Sequence, residues 1–251
     1  EHYVIHPEKS VIIPFNVKSK EFLEYIISER PFSLNGEKLP VVTEVTHVGI
    51  ERTIYSHDMT IENRISAGRQ ALYSLLGAGL HGTNGLPVKT SLHLYQIYSL
   101  SRVLYGLEAL VLTKPNVQNL EKFHRNVIRT VLGLPDSVAI PSLHIISGLL
   151  PMENMLDQRE LVFLHSLLKR DGRLKELVKR QCLVKKENSR SWITKIKKIL
   201  IKYSLPSVLD LILNLPKKDQ WKKTVNQARV EKVSEDLEDE ESQKSTLAFL
   251  N

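Results

Sequence analysis

The stretch PNVQNLEKFHRNVIRTVLGLP, residues 115–135, decides the fold class of this chain. Its apolar residues recur at intervals of three and four positions, which is the spacing of an amphipathic helix. These apolar positions are Val117, Leu120, Phe123, Val127, Ile128 and Val131. Pro115 suits the first turn of a helix, and Gly133-Leu134-Pro135 is typical of a helix end. The stretch therefore predicts one well-delimited helix, and the same period continues on both sides of it.

Toward the C-terminus the pattern stays helical. Pro141 starts a short predicted helix that Gly148 closes, and Pro151 precedes a longer one that extends to Lys169. Asp171-Gly172 is predicted to be a turn. Short basic helices are predicted beyond it, near residues 173–181, 191–203, 206–214 and 217–229.

Toward the N-terminus, helical spacing is present from about Thr60 to Gly77 and again from Pro87 to about Leu112. Four glycines between Gly77 and Gly85 predict a flexible loop between these helices, because neither a helical nor a strand period is present there. A loop of this kind could also contact phosphates, and that alternative stays open.

The first fifty residues have a different pattern. Asn35-Gly36 lies between short apolar stretches, which is the strongest short-range signal of a β-hairpin. Strands are predicted at residues 31–34, 38–39 and 41–50. The predicted fold is therefore mainly α with a small β-rich N-terminal piece, an α+β chain whose strands are confined to about residues 1–55.

Positive charge is concentrated in one segment of the chain. The 251 residues carry a formal net charge of +7. Residues 159–229 hold 19 Lys and Arg against 6 Asp and Glu, whereas residues 1–158 are near neutral and residues 230–251 are acidic. A basic block of this size indicates a polyanion such as nucleic acid as a partner. The alternative is a set of solvated, lysine-rich helix faces.

Motifs for several classes of chemistry are absent from this sequence. The single cysteine, Cys182, excludes a disulfide framework, and the nine histidines are scattered without metal-ligand spacing. No P-loop, no G-x-S-x-G and no Asp-Asp pair is present. Apolar runs of about 18 residues and a signal peptide are also absent, so we expect an intracellular protein, nuclear or cytoplasmic, with no membrane partner. The start at Glu1, without Met, suggests a fragment.

Three short motifs near the N-terminus occur in a defined order. They are His2-Tyr3-Val4-Ile5-His6-Pro7-Glu8-Lys9-Ser10-Val11-Ile12, then Leu34-Asn35-Gly36-Glu37-Lys38-Leu39-Pro40, then Val45-Thr46-His47-Val48-Gly49-Ile50. Together they resemble the segment that follows the catalytic hairpin in reverse transcriptases of non-LTR retrotransposons. In that family the lysine belongs to the fourth palm motif, and a Tyr-Leu-Gly turn begins the primer grip. Here His47-Val48 replaces Tyr-Leu.

The resemblance extends over roughly residues 1–170. Residues 61–72, 94–110 and 120–125 look like the three helices of the thumb. The stretch Gly148-Leu149-Leu150-Pro151-Met152-Glu153, with Arg159-Glu160-Leu161, is similar to the segment beyond the thumb. The implied regions are the end of the palm with a primer-grip-like hairpin over residues 1–56 and a thumb-like three-helix bundle over residues 57–135. A basic helical extension is expected over residues 136–230, and an acidic tail, disordered or a fraying helix, over residues 231–251.

The resemblance also implies roles for particular residues. Lys9 would stabilise the leaving pyrophosphate. The primer terminus would rest on His47, Val48, Gly49 and Ile50. Phosphates of the RNA–DNA duplex would be met from the thumb by Arg64, Arg69, Lys89 and Arg102. Each of these residues has a plain alternative as a solvated or ion-paired surface residue.

The helix predicted from about Ser191 supplies further phosphate-binding candidates. Trp192, Ile196, Ile199 and Leu200 occupy one face of it, which leaves a predicted wet face with Lys195, Lys197, Lys198 and Lys202. From the charge pattern we expect Lys195, Lys198 and Lys202 to contact nucleic acid.

The implied activity is RNA-directed DNA polymerisation on an RNA template with a DNA primer. The fingers and the palm hairpin with its metal-binding aspartates are expected upstream of Glu1 as parts of the same protein. Mg²⁺ is therefore expected for the complete polymerase, and no cofactor or metal site is predicted in this chain, which alone should be inactive. The alternative is a non-enzymatic helical scaffold that binds RNA or DNA through residues 159–229.

Overall fold

A computed structural model describes residues 6–14, 19–29, 32–54, 57–80, 85–170 and 172–243. The chain divides into two compact units, Glu1–Asn63 and Arg64–Asn251. Parts of several sequence predictions lie outside the described residues: the start of the first motif, part of the glycine-rich loop, Asp171 and the last eight residues.

The first unit contains short elements only. Lys9 ends a single 3₁₀ turn, Pro7–Lys9, and helix α1 comprises Lys20–Glu29. Two antiparallel hairpins follow, β1 with β2 and β3 with β4, over Ser33–Leu34, Glu37–Lys38, Glu44–His47 and Ile50–Thr53. Positive φ angles at Asn35 (55°) and Gly36 (84°) give the turn that a two-residue hairpin needs, which confirms the Asn-Gly prediction. The predicted strand 41–50 is interrupted by a second turn at Val48-Gly49.

From Asp58 onward the described chain is helical, as the period predicted. Helix α2 comprises Asp58–Leu76. Helices α3 to α11 comprise Val88–Leu94, Ser101–Val103, Lys114–Leu132, Ile140–Ser147, Met152–Lys169, Arg173–Val184, Trp192–Lys202, Val208–Leu213 and Lys218–Gln243. The mainly helical fold with a small β piece near the N-terminus is thus confirmed. Among the described residues no helix is long and apolar enough to cross a bilayer.

Helix α5 begins and ends where the sequence indicated. The Thr113 hydroxyl accepts a hydrogen bond from the backbone N–H of Asn116, and the Asn116 side chain accepts one from the backbone N–H of Thr113. These two bonds form a capping box. Gly133 ends the helix in the left-handed region, at φ 64°, where a residue without Cβ is favoured.

The helix predicted from Pro87 to Leu112 is not continuous. Between α3 and α4 the backbone forms a π-helical segment, Tyr95–Leu100. Helix α4 ends at Val103, and Gly106, at φ 78°, precedes a 3₁₀ turn, Leu107–Ala109. The widened segment lies where the Ser99 hydroxyl donates to the Gly68 carbonyl of α2, at 2.8 Å. Only a glycine fits there, because a Cβ on Gly68 would come within 2.3 Å of the Val103 side chain. This close approach is tertiary, so helical spacing could not reveal it.

Helix α7 is central to the second unit, where it packs against α5, α8, α9 and α11. The buried cluster around it includes Leu161, Leu164, Leu168, Ile196, Leu211, Trp221 and Val225. The Trp221 indole N–H donates to the Leu161 carbonyl at 3.0 Å, which satisfies the polar atom of a fully buried side chain.

The acidic tail, predicted to be disordered or a fraying helix, begins within helix α11. Helix α11 continues as far as Gln243, and residues 244–251 lie outside the described residues. Pairs four residues apart support the solvent-exposed part of the helix: Gln227 donates to Glu231 at 2.9 Å, and Lys232 lies 3.0 Å from Asp236.

Candidate nucleic-acid interface

The predicted primer-grip residues form the tip of the β3–β4 hairpin. His47 pairs with Ile50, and Val48 and Gly49 form the turn at φ 51° and 67°. A β-branched residue in the left-handed region is strained, and Val48 is also 67% exposed. A strained and exposed Val48 side chain does not contribute to the packing of a hydrophobic core. The sequence identified this turn but carried no signal of its strain.

Lys9 lies elsewhere in the first unit, at the end of the 3₁₀ turn. Its side chain is exposed, and its backbone N–H donates to the His6 carbonyl at 3.2 Å. This position leaves the ammonium group accessible to an anion.

Two of the predicted thumb arginines lie near exposed tyrosines. The Arg64 guanidinium lies 4.9 Å from the centroid of the Tyr105 ring, a cation–π contact. Tyr98, Arg102 and Tyr105 lie four and three positions apart, in the π-helical segment, in α4 and in the turn after α4. Tyr98 and Tyr105 are 50% and 44% exposed, and Arg102 is exposed as well. We call Arg64, Tyr98, Arg102 and Tyr105 the arginine–tyrosine surface.

The close approach at Gly68 positions this surface. Arg64 lies one helical turn before Gly68, and Tyr105 follows Val103, the residue that faces Gly68. Cations beside exposed rings suit nucleic acid, since guanidinium groups bind phosphate and rings stack on bases. The family resemblance implies a role for the arginines and none for the tyrosines, although two tyrosines flank Arg102 in the sequence.

The other two predicted thumb residues do not join this surface. Arg69 lies five residues after Arg64, so the two arginines point to different sides of α2. Lys89 is exposed in the first turn of α3. Both can meet a polyanion only as separate surface charges.

The lysines of α9 correct the predicted wet face. Lys195 is ion-paired with the fully buried Glu160 of α7. Lys202 lies 2.9 Å from Asp157 and 3.1 Å from Glu153, and Lys197 donates to the Cys182 carbonyl at 2.9 Å. Of the four, Lys198 is the exposed one. Lysine spacing on one helix could not show that a helix 35 residues earlier presents carboxylates to it.

These contacts form a carboxylate network of Asp157, Glu160, Lys195, Lys202 and Tyr203. The Tyr203 hydroxyl donates to Asp157 at 2.8 Å. Burial raises the pKa of the Glu160 carboxyl to about 7, against the opposing effect of the Lys195 ammonium. Burial lowers the pKa of Lys202, but the attraction and hydrogen bond of Asp157, together with Tyr203 and Glu153, outweigh it, so this pKa is also raised.

A cleft lies beside the carboxylate network. Its cavity volume is about 420 Å³, and it is lined by four lysines: Lys114, Lys195, Lys198 and Lys202. We call it the lysine cleft. The three phosphate-binding candidates on α9 therefore do line one site, but Lys195 and Lys202 reach it as partners of buried acids.

Helix α8 and the residues that follow it carry a cluster of exposed positive charge. Residues 173–190 contain seven Lys and Arg residues against two acidic ones. The α8 basic face consists of the exposed side chains Arg173, Lys179, Arg180, Lys185, Lys186 and Arg190. The apolar residue Leu177 of α8 is exposed too.

A histidine network lies between α5 and α6 and involves Tyr95, Glu121, His124 and His144. His124 accepts from the Tyr95 hydroxyl at 2.7 Å when its other nitrogen donates to the Leu150 carbonyl at 3.2 Å. Burial lowers the pKa of His124 to about 4, so this ring is neutral at pH 7. Both nitrogens of His144 face oxygen acceptors, the Leu149 carbonyl and Glu121, at 2.8 and 3.2 Å.

Comparison with known proteins yields no relative: no family model, curated protein or solved structure matches the chain. Within the described ranges, no group of three or more His, Cys, Asp or Glu side chains could hold a metal ion.

Proposed function

We propose that this chain is part of a non-LTR retrotransposon reverse transcriptase, comprising the end of the palm, the thumb and a helical extension. In this proposal the β3–β4 turn supports the primer terminus, and the helices that follow bind the RNA–DNA duplex. The observation that carries it is the strained, exposed turn at Val48-Gly49, which falls on the primer-grip motif. Strain of this kind concentrates at sites that contact ligands.

The arginine–tyrosine surface supports the duplex-binding part of the proposal. Arg64 and Arg102 supply charges that bind phosphates without regard to sequence. The close packing around Gly68 holds one arginine against Tyr105 and so limits the freedom it loses on binding.

The reaction itself would be a nucleotidyl transfer, in which a primer 3′-hydroxyl attacks an α-phosphate and pyrophosphate leaves. Lys9 would stabilise the charge of the leaving group. Two of the buried carboxylates, Asp157 and Glu160, are bound by Lys202 and Lys195, so they are not assigned to metal binding. Mg²⁺ would be held by the palm aspartates of the complete polymerase.

The reading frame upstream of Glu1 tests the family assignment. It should encode an [FY]-x-D-D motif some tens of residues before Glu1. In the polymerase that includes it, Val48→Asp should reduce primer extension by about tenfold or more, because a charge replaces the apolar contact at the primer end. Leu213→Asp is the matched control, since Leu213 is exposed on α10. An upstream frame without the motif contradicts the assignment.

The α8 basic face favours a second candidate, a non-enzymatic scaffold that binds RNA or DNA. Its exposed cations lie on one helix and the turn after it, and they require no polymerase partner. Under this alternative, nucleic-acid binding depends on α8 and is indifferent to Arg64 and Arg102.

A further inference from the structure

The lysine cleft combines positive charge with an apolar floor. Its volume of about 420 Å³ falls within the range of sites for small organic ligands. Four apolar side chains line it: Leu112, Val117, Leu156 and Ile199. An inorganic anion would leave the apolar floor without a contact, and a purely apolar ligand would leave the lysines without one.

The four ammonium groups of the cleft differ in what they bind. Lys195 and Lys202 are paired with Glu160 and with Asp157 and Glu153. Lys114 and Lys198 are exposed and form no ion pair with any residue that the structure describes. These two lysines are therefore the cations available to a ligand.

The surroundings of the two available lysines also favour an anion. Lys114 is the first residue of the 19-residue helix α5, whose N-terminus carries a partial positive charge. The lining holds four lysines against two carboxylates, Glu153 and Asp157, and an excess of positive charge is left even when Glu160, the partner of Lys195, is counted with them. Both carboxylates are already bound by Lys202, so they repel an incoming anion less than free carboxylates would.

We infer that the lysine cleft binds a nucleoside phosphate, with its phosphate at Lys114 and Lys198 and its base on the apolar floor. The ligand is a free nucleotide or a single unpaired nucleotide of a strand, since both present the same phosphate and base. This site is separate from the arginine–tyrosine surface, and it does not depend on the reverse-transcriptase proposal.

Calorimetric titration of the full chain with ATP tests this site. The double variant Lys114→Glu/Lys198→Glu should bind ATP at least tenfold more weakly than the unmodified chain. Lys222→Glu/Lys223→Glu, which changes two exposed lysines of α11 by the same total charge, should stay within twofold. Urea-unfolding midpoints of both variants, compared with that of the unmodified chain, verify that each is folded.

Two further probes identify the source of the ligand. If a short single-stranded oligonucleotide also binds the Lys114/Lys198 variant at least tenfold more weakly, the cleft accepts a nucleotide within a strand. If its affinity is unchanged while ATP binding is lost, the ligand is a free nucleotide. Unchanged ATP affinity in the variant overturns the inference, and so does inorganic phosphate binding as tightly as ATP, because the apolar floor would then be unused.

Discussion

The histidine network between α5 and α6 and the carboxylate network between α7 and α9 both bury ionisable side chains, but they satisfy them differently. Burial keeps His124 neutral, and its two ring nitrogens are satisfied by hydrogen bonds with Tyr95 and a backbone carbonyl. The carboxylate network instead brings two lysines from another helix to Asp157 and Glu160. The first network depends on nearby hydrogen bonds and the second on long side chains that cross between helices.

This difference has consequences for the surface as well as for stability. Each lysine bound to a buried acid is removed from the set available to a polyanion. A lysine-rich helix such as α9 is therefore a weaker indication of nucleic-acid binding than its charge suggests. The carboxylate network assigns Lys195 and Lys202 to the fold and leaves Lys198 to the surface.

The largest expected effect comes from removing one lysine of the carboxylate network. Lys195→Ala should lower the free energy of unfolding at pH 8 by about 3 kcal/mol, because a buried carboxylate loses its partner. Lys198→Ala, on the same helix, should change it by less than about 0.5 kcal/mol. Urea unfolding followed by circular dichroism measures both. Equal effects of the two substitutions would show that Lys195 is only a surface lysine.

The two networks should also respond to pH with opposite signs. The folded pKa of Glu160, about 7, lies above its usual value of 4.5, so its contribution to stability is present at low pH and is lost as the pH rises through 7. The folded pKa of His124, about 4, lies below its usual 6.5, so its contribution is present above pH 6.5 and is lost as the pH falls toward 4.

Glu160→Gln separates these two contributions. The variant cannot ionise at this position, so its stability relative to the unmodified chain should rise by about 3 kcal/mol between pH 4.5 and pH 8. Urea unfolding at a series of pH values gives the difference directly. A constant difference across this range would mean that the Glu160 pKa is the same in the folded and unfolded chain.

A smaller effect is expected within the histidine network. Tyr95→Phe removes the hydroxyl that donates to His124 and leaves a buried ring nitrogen without a partner. The free energy of unfolding should fall by about 1–2 kcal/mol. Tyr73→Phe is a control because Tyr73 is largely exposed. Equal stabilities of these two variants would show that the Tyr95 hydrogen bond contributes nothing.

Local signals in the sequence predicted much of the fold. Pro115 and Gly133 mark the ends of α5 because they act on their own turn of the helix, and Asn35-Gly36 gives its hairpin for the same reason. The break in the helix predicted from Pro87 to Leu112 was missed, and it lies where Ser99 and Val103 contact Gly68 of α2, which helical spacing does not show.

The candidate site was less predictable because its features depend on contacts between distant residues. The arginines were named from the family resemblance, whereas the tyrosine beside Arg64 is 41 positions further along the chain. The pairing of Lys195 with Glu160 is equally remote in sequence. Composition gave the basic segment correctly but could not separate cations that serve the fold from those that face solvent.

Binding to an RNA–DNA hybrid across a salt series tests most directly whether the arginine–tyrosine surface is the nucleic-acid interface. Three proteins are compared by fluorescence anisotropy: the unmodified chain, Arg64→Gln/Arg102→Gln, and Arg180→Gln/Lys186→Gln on the α8 basic face. The first double variant should bind the hybrid more weakly. The slope of log K against log salt should become less steep by about 2, because each arginine releases about one counterion on binding. The second should keep the slope of the unmodified chain. The reverse result, a flatter slope only for the α8 variant, would contradict the proposed duplex interface and favour the scaffold.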